Sequence, residues 1–248
     1  MRHIAQFTLL ICILFLANTV MAEDRTPLYG ELLSQYVKDG QVDYGGFKKS
    51  ETQLDMYLEY LAATDPMPMA EKDRFAFYIN AYNAYTIKLI LKNFEESQPP
   101  DSIKDIGSFF TKPWSIEFVQ IGGKTYTLDN IEHDILRPTF KDARVHFAVN
   151  CASKSCPLLL SEPYSGAKLD HQLDSSTRAF INNQQENRLE GATLYISSIF
   201  KWFKEDFQND PIAFFEKYAQ GTLKKDLAAQ KGQIKVKYLD YDWSLNGK

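Results

Sequence analysis

Cysteine is scarce in this chain of 248 residues: Cys12, Cys151 and Cys156 are all it has, which excludes a disulfide-rich miniature scaffold. Charge of one sign is also missing. The 28 Lys and Arg against 32 Asp and Glu leave a net charge of −4 with no basic cluster, which argues against nucleic acid or an anionic membrane surface as the main partner. Collagen-like or low-complexity sequence is excluded by 12 Gly and 10 Pro scattered without period. There is no internal repeat, and no linker is long enough to divide the chain. After residue 22 no apolar stretch approaches the roughly 20 residues that a bilayer-spanning helix needs.

What is present is globular composition, 44% hydrophobic and 14% aromatic, enough for a sizeable core. The first 22 residues are set apart from it. Arg2, the apolar run Phe7 to Leu16 and the small residues ending Val20-Met21-Ala22 form a secretory signal peptide with cleavage expected after Ala22. Ile11 stands before Cys12 where lipoprotein processing needs a small residue, so no lipid anchor is expected. The remainder, residues 23–248, reads as one globular domain, exported to the periplasm or the medium, with no stable membrane insertion once the leader is gone.

Along that domain, Leu28, Leu32, Leu33, Tyr36 and Val37 share a helical face that Gly40 ends, and Leu54, Tyr57, Leu58 and Leu61 mark a second helix. The third, about Met69 to Phe94, is apolar on most sides and so belongs at the centre. Strand patterns then flank Gly122-Gly123, a pair suited to the positive φ angles of a tight hairpin. Asp129 and Glu132 have capping-box spacing before a helix at Asn130 to Arg137. Val145 to Val149 reads as a buried strand leading into Asn150-Cys151. A helix from Ala167 to about Asn183, a strand at Thr193 to Ile196, a helix with Ile199, Trp202, Phe203 and Phe207, a helix capped by Asp210-Pro211, and a closing strand from Ile234 to Trp243 complete the pattern. The class predicted is α+β, with a mainly antiparallel sheet packed against a long central apolar helix.

Four motifs stand out: INAYNA at 79–84, IEHDILR at 131–137, HFAVNCASKSCP at 146–157, and KWFKEDF with YDWSLN at 201–207 and 241–246. In these the chain, from about Pro27 to Asn246, resembles the bacterial and plant family known as domain of unknown function 547. The resemblance implies no established activity. Its helix-then-sheet layout is similar to the papain and transglutaminase type of fold, which would place a nucleophilic cysteine in the long helix. Asn80, Asn83 and Ala84 stand there instead.

The CASKSC segment leaves four readings of its thiols open. Cys151 and Cys156 are close enough in sequence for a disulfide. Cys151, just past a strand end, is equally placed for amide donors to stabilise a nucleophilic thiolate, with His146 or His133 as base. Metal binding by both cysteines and a histidine lacks the C-x-x-C spacing of zinc sites, and redox work by a labile pair ranks last because the same spacing is missing. His146 reaches Cys151 only if the chain folds back, since five extended residues cover roughly 16 Å.

Asn80 and Asn83, three apart, share a face of the most apolar helix and must bond to something; they either tie that helix to a loop or hold an oxyanion. Trp202 with Asp206, and Tyr241, Asp242 and Trp243, can line a ligand site or lock the last strand onto the core. Arg137 is a partner for one of these acids, and His171 reads as solvated.

The leading expectation is a polar cleft with Cys151, His146, Asn83 and Asn80 as catalytic groups and Asn150, His133, Arg137 and Cys156 as binding groups. It would perform thiol-dependent amide hydrolysis or acyl transfer on an unidentified small molecule or peptide. The rival is a non-enzymatic binding or scaffold module whose Cys151–Cys156 disulfide closes a rim. No metal and no cofactor is expected in either.

Overall fold

The computed structural model describes residues 23–108 and 110–248. The expected signal peptide and Cys12 lie outside the described residues. Among the described residues no helix is long and apolar enough to cross a membrane.

Helix α1 (Thr26–Tyr36) starts with Pro27 in its first turn, where a missing N–H costs nothing, and buries Tyr29, Leu32 and Leu33. Strands β1 (Val37–Lys38) and β2 (Gln41–Val42) form a small hairpin turned by Asp39 and Gly40, both at positive φ. Asp43 caps α2 (Tyr44–Lys49) by accepting from Gly46 N at 2.7 Å. Helix α3 (Glu51–Ala63) and the 22-residue α4 (Glu71–Lys92) follow, and α4 is buried from Phe75 to Leu91 except at half-buried Lys88. Lys88 emerges to pair with Glu51 at 2.7 Å and Asp55 at 2.5 Å on α3.

Strands β3 (Val119–Ile121) and β4 (Lys124–Tyr126) form the hairpin expected around Gly122-Gly123, with φ of 55° and 73°. The capping box does not form. Asp129 accepts instead from Ser115 Oγ at 2.6 Å, and Thr127 and Asn130 exchange side-chain-to-backbone bonds of 3.0 and 2.9 Å. The helix that follows is a π-helix, Asn130–Leu136, running into the short α5 (Arg137–Phe140). Wider π turns are a recurrent way of redirecting side chains near sites.

The expected strand at Val145–Val149 is absent. Ala143–Phe147 is a 3-10 helix capped by Asp142, which accepts from Arg144 N at 2.9 Å. Its apolar residues divide by helical spacing. Val145 and Val149, four apart, enter one hydrophobic core with α1, α3 and α4, whereas Phe147 enters a second core with Phe180, Phe200, Phe207 and Phe215. A pleated strand would have put all three on one face.

Helix α6 (Leu169–Ile181) is shorter than the predicted span. Strands β5 (Arg188–Glu190) and β6 (Thr193–Ile196) then pair antiparallel. Helix α7 (Ile199–Trp202) stops at its first turn and gives way to turns through Asn209. Helix α8 (Pro211–Tyr218) is capped by Asp210 as expected, at 3.1 Å from Ala213 N, and α9 (Gly221–Ala229) follows. Strand β7 (Lys235–Tyr238) covers only part of the predicted closing strand and pairs with β6 in parallel. The α+β class stands, but among the described residues the strands form three separate small sheets, one of them mixed, in place of a single antiparallel sheet.

Beyond β7 the tail lies along the CASKSC turn. Lys154 N donates to Ser244 O at 2.8 Å, Ser155 N to Asp242 O at 3.2 Å and Asn246 N to Ala152 O at 3.2 Å. These bonds hold the YDWSLN segment to the CASKSC turn.

Candidate functional site

The asparagines of α4 are clamps. Asn83 donates through Nδ2 to Ala148 O at 2.9 Å and accepts through Oδ1 from Asn150 N at 2.8 Å, gripping the chain just after the 3-10 helix. Asn80 grips Tyr164 in the same way, at 2.8 Å to both O and N. Asn150 continues the chain of clamps, donating to Pro157 O at 2.8 Å and accepting from Ala152 N at 2.9 Å and Asn246 Nδ2 at 3.1 Å. Both ends of each amide are thus committed to holding loops in place.

Asn83 and Asn150, but not Asn80, hold the chain around Val149, Cys151 and Pro157, which line a cleft of about 390 Å³. His133, His146, Cys151 and Cys156 line it, whereas Asn80, Asn83, Asn150 and Arg137 do not. His146 is buried, stacked on Phe203 with ring centres 4.0 Å apart, and its Nε2 lies 2.6 Å from Asp206 Oδ2. Arg137 Nε donates to the same oxygen at 2.6 Å and Arg137 Nη1 meets His133 Nδ1 at 3.0 Å. Partial burial raises the Asp206 carboxyl, but the bonds from His146 and Arg137 prevail and hold it well below the usual carboxylate range. Ionised Asp206 accepts only, so Nε2 of His146 carries the hydrogen. Nδ1 is left to face the Glu132 carboxylate, 3.8 Å away.

Glu132, on the π-helix, lines the cleft and is nearly buried, with Tyr82 of α4 beside it. Burial and the Glu132 carboxylate push the Tyr82 phenol well above its ordinary value, keeping it protonated. His133 sits at the half-exposed rim, 3.9 Å from Asp129.

The same cleft is lined by a cluster of aromatic rings. Trp202 lies 4.9 Å from Tyr241 and 5.7 Å from Trp243, Tyr241 and Trp243 are 4.5 Å apart, and Trp114 is 5.4 Å from Trp243. Rings this close are packed on one another, forming a platform in place of a cage around an empty centre. Lys104 Nζ already sits 5.3 Å over the Trp243 ring, while Trp202 is 47% exposed.

Cys151 and Cys156 are joined as a disulfide across the CASKSC turn, in which Ala152 takes a positive φ of 60°. Among the described residues no hydrogen bond links either sulfur to an imidazole; their polar neighbours are Ser153, Tyr241 and the Cys151 amide. Nor do the described residues contain a group of three or more His, Cys, Asp or Glu placed to hold a metal ion. The acid that the sequence offers to Arg137 is Asp206, at 2.6 Å, whereas Glu132 reads there only as a cap; the convergence of Glu132 and Asp206 on His146 depends on the π-helix and on the turn that ends α7. His171 is exposed, as read.

No curated protein and no solved structure matches the chain. A family model described as "Protein of unknown function, DUF547" matches residues 66–181. That stretch contains α4, the π-helix, His146 and the disulfide, while Trp202, Tyr241 and Trp243 come from the chain beyond it. With its INAYNA and HFAVNCASKSCP motifs inside the match, the chain is similar over residues 66–181 to the DUF547 family.

Proposed function

We propose that this chain is an exported module that binds a small organic molecule in the cleft between the Trp202–Tyr241–Trp243 platform and the Glu132–His146 floor. The observation that carries the reading is the aromatic cluster itself: Trp202 stacked on Trp243 with Tyr241 tilted against both, and Trp202 half in solvent, along a concave site. Convergent polar groups beside an apolar wall are the usual make-up of ligand pockets. Glu132 and Asp129 line the site against Lys112, which favours a neutral or cationic ligand with a flat apolar face and N–H or O–H donors. The disulfide fixes the CASKSC rim, and the signal-like first 22 residues supply the route of export. Likeness to a papain or transglutaminase layout enters this reading only as a long helix, α4, holding a cysteine-bearing turn.

The test is a crystallographic fragment screen with neutral and cationic aromatic and saccharide fragments. Hits stacked on Trp202 and Tyr241 support the proposal; hits distributed elsewhere with the cleft empty overturn it.

A second reading, thiol-dependent amide hydrolysis or acyl transfer, draws on the way Asp206 orients His146 beside a cleft that His146 and Cys151 both line. It requires a reduced Cys151. Amide hydrolysis that starts on reduction and disappears in Cys151→Ser would favour it over simple binding.

A further inference from the structure

The disulfide is surrounded by more hydrogen-bond donors than a disulfide uses. Cys156 Sγ lies 3.0 Å from Cys151 N, 3.2 Å from Ser153 Oγ and 3.2 Å from Tyr241 Oη, and since the two hydroxyls are also 3.3 and 3.2 Å from Cys151 Sγ, the amide is the donor that Cys156 alone has. A neutral divalent sulfur is a weak acceptor, whereas a thiolate binds such donors strongly. The two sulfurs are also unequal. Cys156 is 6% exposed, while Cys151 is less buried, and both line the cleft. Burial pushes the Tyr241 phenol up, so it remains a donor at neutral pH. Ser153 Oγ also lies 3.1 Å from Tyr241 Oη and can donate to it, which leaves the Tyr241 O–H free to point at sulfur.

We propose that Cys151–Cys156 is a thiol–disulfide exchange centre that oxidises a dithiol entering the cleft, with Cys151 the sulfur attacked and Cys156 the leaving thiolate. In the first step a thiolate of the dithiol attacks Cys151 Sγ. A bond forms between these sulfurs, the Cys151–Cys156 bond breaks, and its electron pair goes to Cys156, where the Cys151 amide, Ser153 and Tyr241 receive the charge. The second thiolate of the dithiol then attacks its own partner sulfur and expels Cys151. The dithiol has lost two electrons and two protons and become a disulfide; Cys151 and Cys156 have gained both and become thiols. A low-molecular-weight disulfide returns the pair to its oxidised form by the reverse exchange. Exchange of this kind favours an accessible attacked sulfur and a stabilised leaving thiolate.

The test uses the full chain with Cys12→Ser, so that only this pair titrates, equilibrated in mixtures of reduced and oxidised glutathione, quenched with an alkylating agent and weighed by mass spectrometry. The folded protein should show both oxidised and reduced forms across the series. Tyr241→Phe should shift the equilibrium constant about tenfold toward the disulfide, the loss of one bond to a charged group. Ser153→Ala, a milder change, should shift it in the same direction. With Cys156→Ser, glutathione should be retained on Cys151; with Cys151→Ser, little should be retained on the buried Cys156. A pair that stays oxidised in excess reduced glutathione until the protein unfolds, or variants with unchanged equilibrium constants, would make the disulfide a staple and overturn the proposal.

Discussion

His146 and Arg137 meet on a single oxygen, Asp206 Oδ2, each at 2.6 Å. One carboxylate therefore sets the hydrogen position on a buried imidazole and anchors the guanidinium that reaches His133 at the rim. The relationship places Asp206 behind the cleft as the group that orients its floor.

Asp206→Asn should cost about 1–3 kcal/mol at pH 7, the usual worth of hydrogen bonds to a charged group, toward the low end because Asp206 is partly exposed. Its folded carboxyl lies below the unfolded value, so the stabilisation is complete above about pH 4 and is lost as pH falls through the folded value. Urea unfolding at pH 7 and pH 3 checks this: the gap between variant and parent should narrow in acid. A gap that stays constant or widens contradicts the assignment.

Asn83→Ala removes a donor to Ala148 O and an acceptor for Asn150 N inside the core. Two backbone groups left unpaired predict a loss of about 3 kcal/mol, read as a lower melting temperature. An amide acting on a ligand would instead lower binding while leaving the melting temperature intact.

Trp202→Ala should have the opposite profile. Trp202 is 47% exposed, stacks on Trp243 and meets Tyr241 at a tilt, so the stability cost should be about 1 kcal/mol. Occupancy of fragments on the platform should fall at least tenfold in a soak or titration. Equal occupancy in variant and parent would remove the platform from the site.

The parts of this fold legible in the sequence are those governed by neighbours a few residues apart. Gly122-Gly123 turns a hairpin because both must take positive φ, and Asp210-Pro211 caps a helix because cap and ring act on the next turn. Val145–Val149 was misread because its β-branched, apolar residues fit a strand equally well until two separate cores claim alternate sides of a helical turn. The candidate site was legible in part. His146, His133 and the cysteines share the cleft, but Asp206 and Glu132 reach His146 from 60 residues downstream and from a π-helix on another segment. No spacing rule carries that information.

Gly247 is the residue on which the C-terminal tail closes. Its backbone runs beside β2 as a parallel bridge to Val42, with Val42 N donating to Asn246 O and Lys248 N to Val42 O, both at 3.2 Å. The φ of Gly247 is not positive, so glycine is needed here for space alone: a Cβ would overlap the Val42 carbonyl and press on Tyr44. Carbonyl and ring are fixed, the latter by the bond from Tyr44 Oη to Asn246 Oδ1 at 2.8 Å. Gly247→Ala should therefore lift the last residues off β2 at a cost of about 1–3 kcal/mol. Residues 242–246 are held separately to the CASKSC turn and to Asp101, so the Tyr241 and Trp243 rings should stay in place. Lower stability with an unchanged tryptophan emission maximum is the expected result; a red-shifted maximum would show that the last residues, more than the CASKSC contacts, hold the aromatic wall.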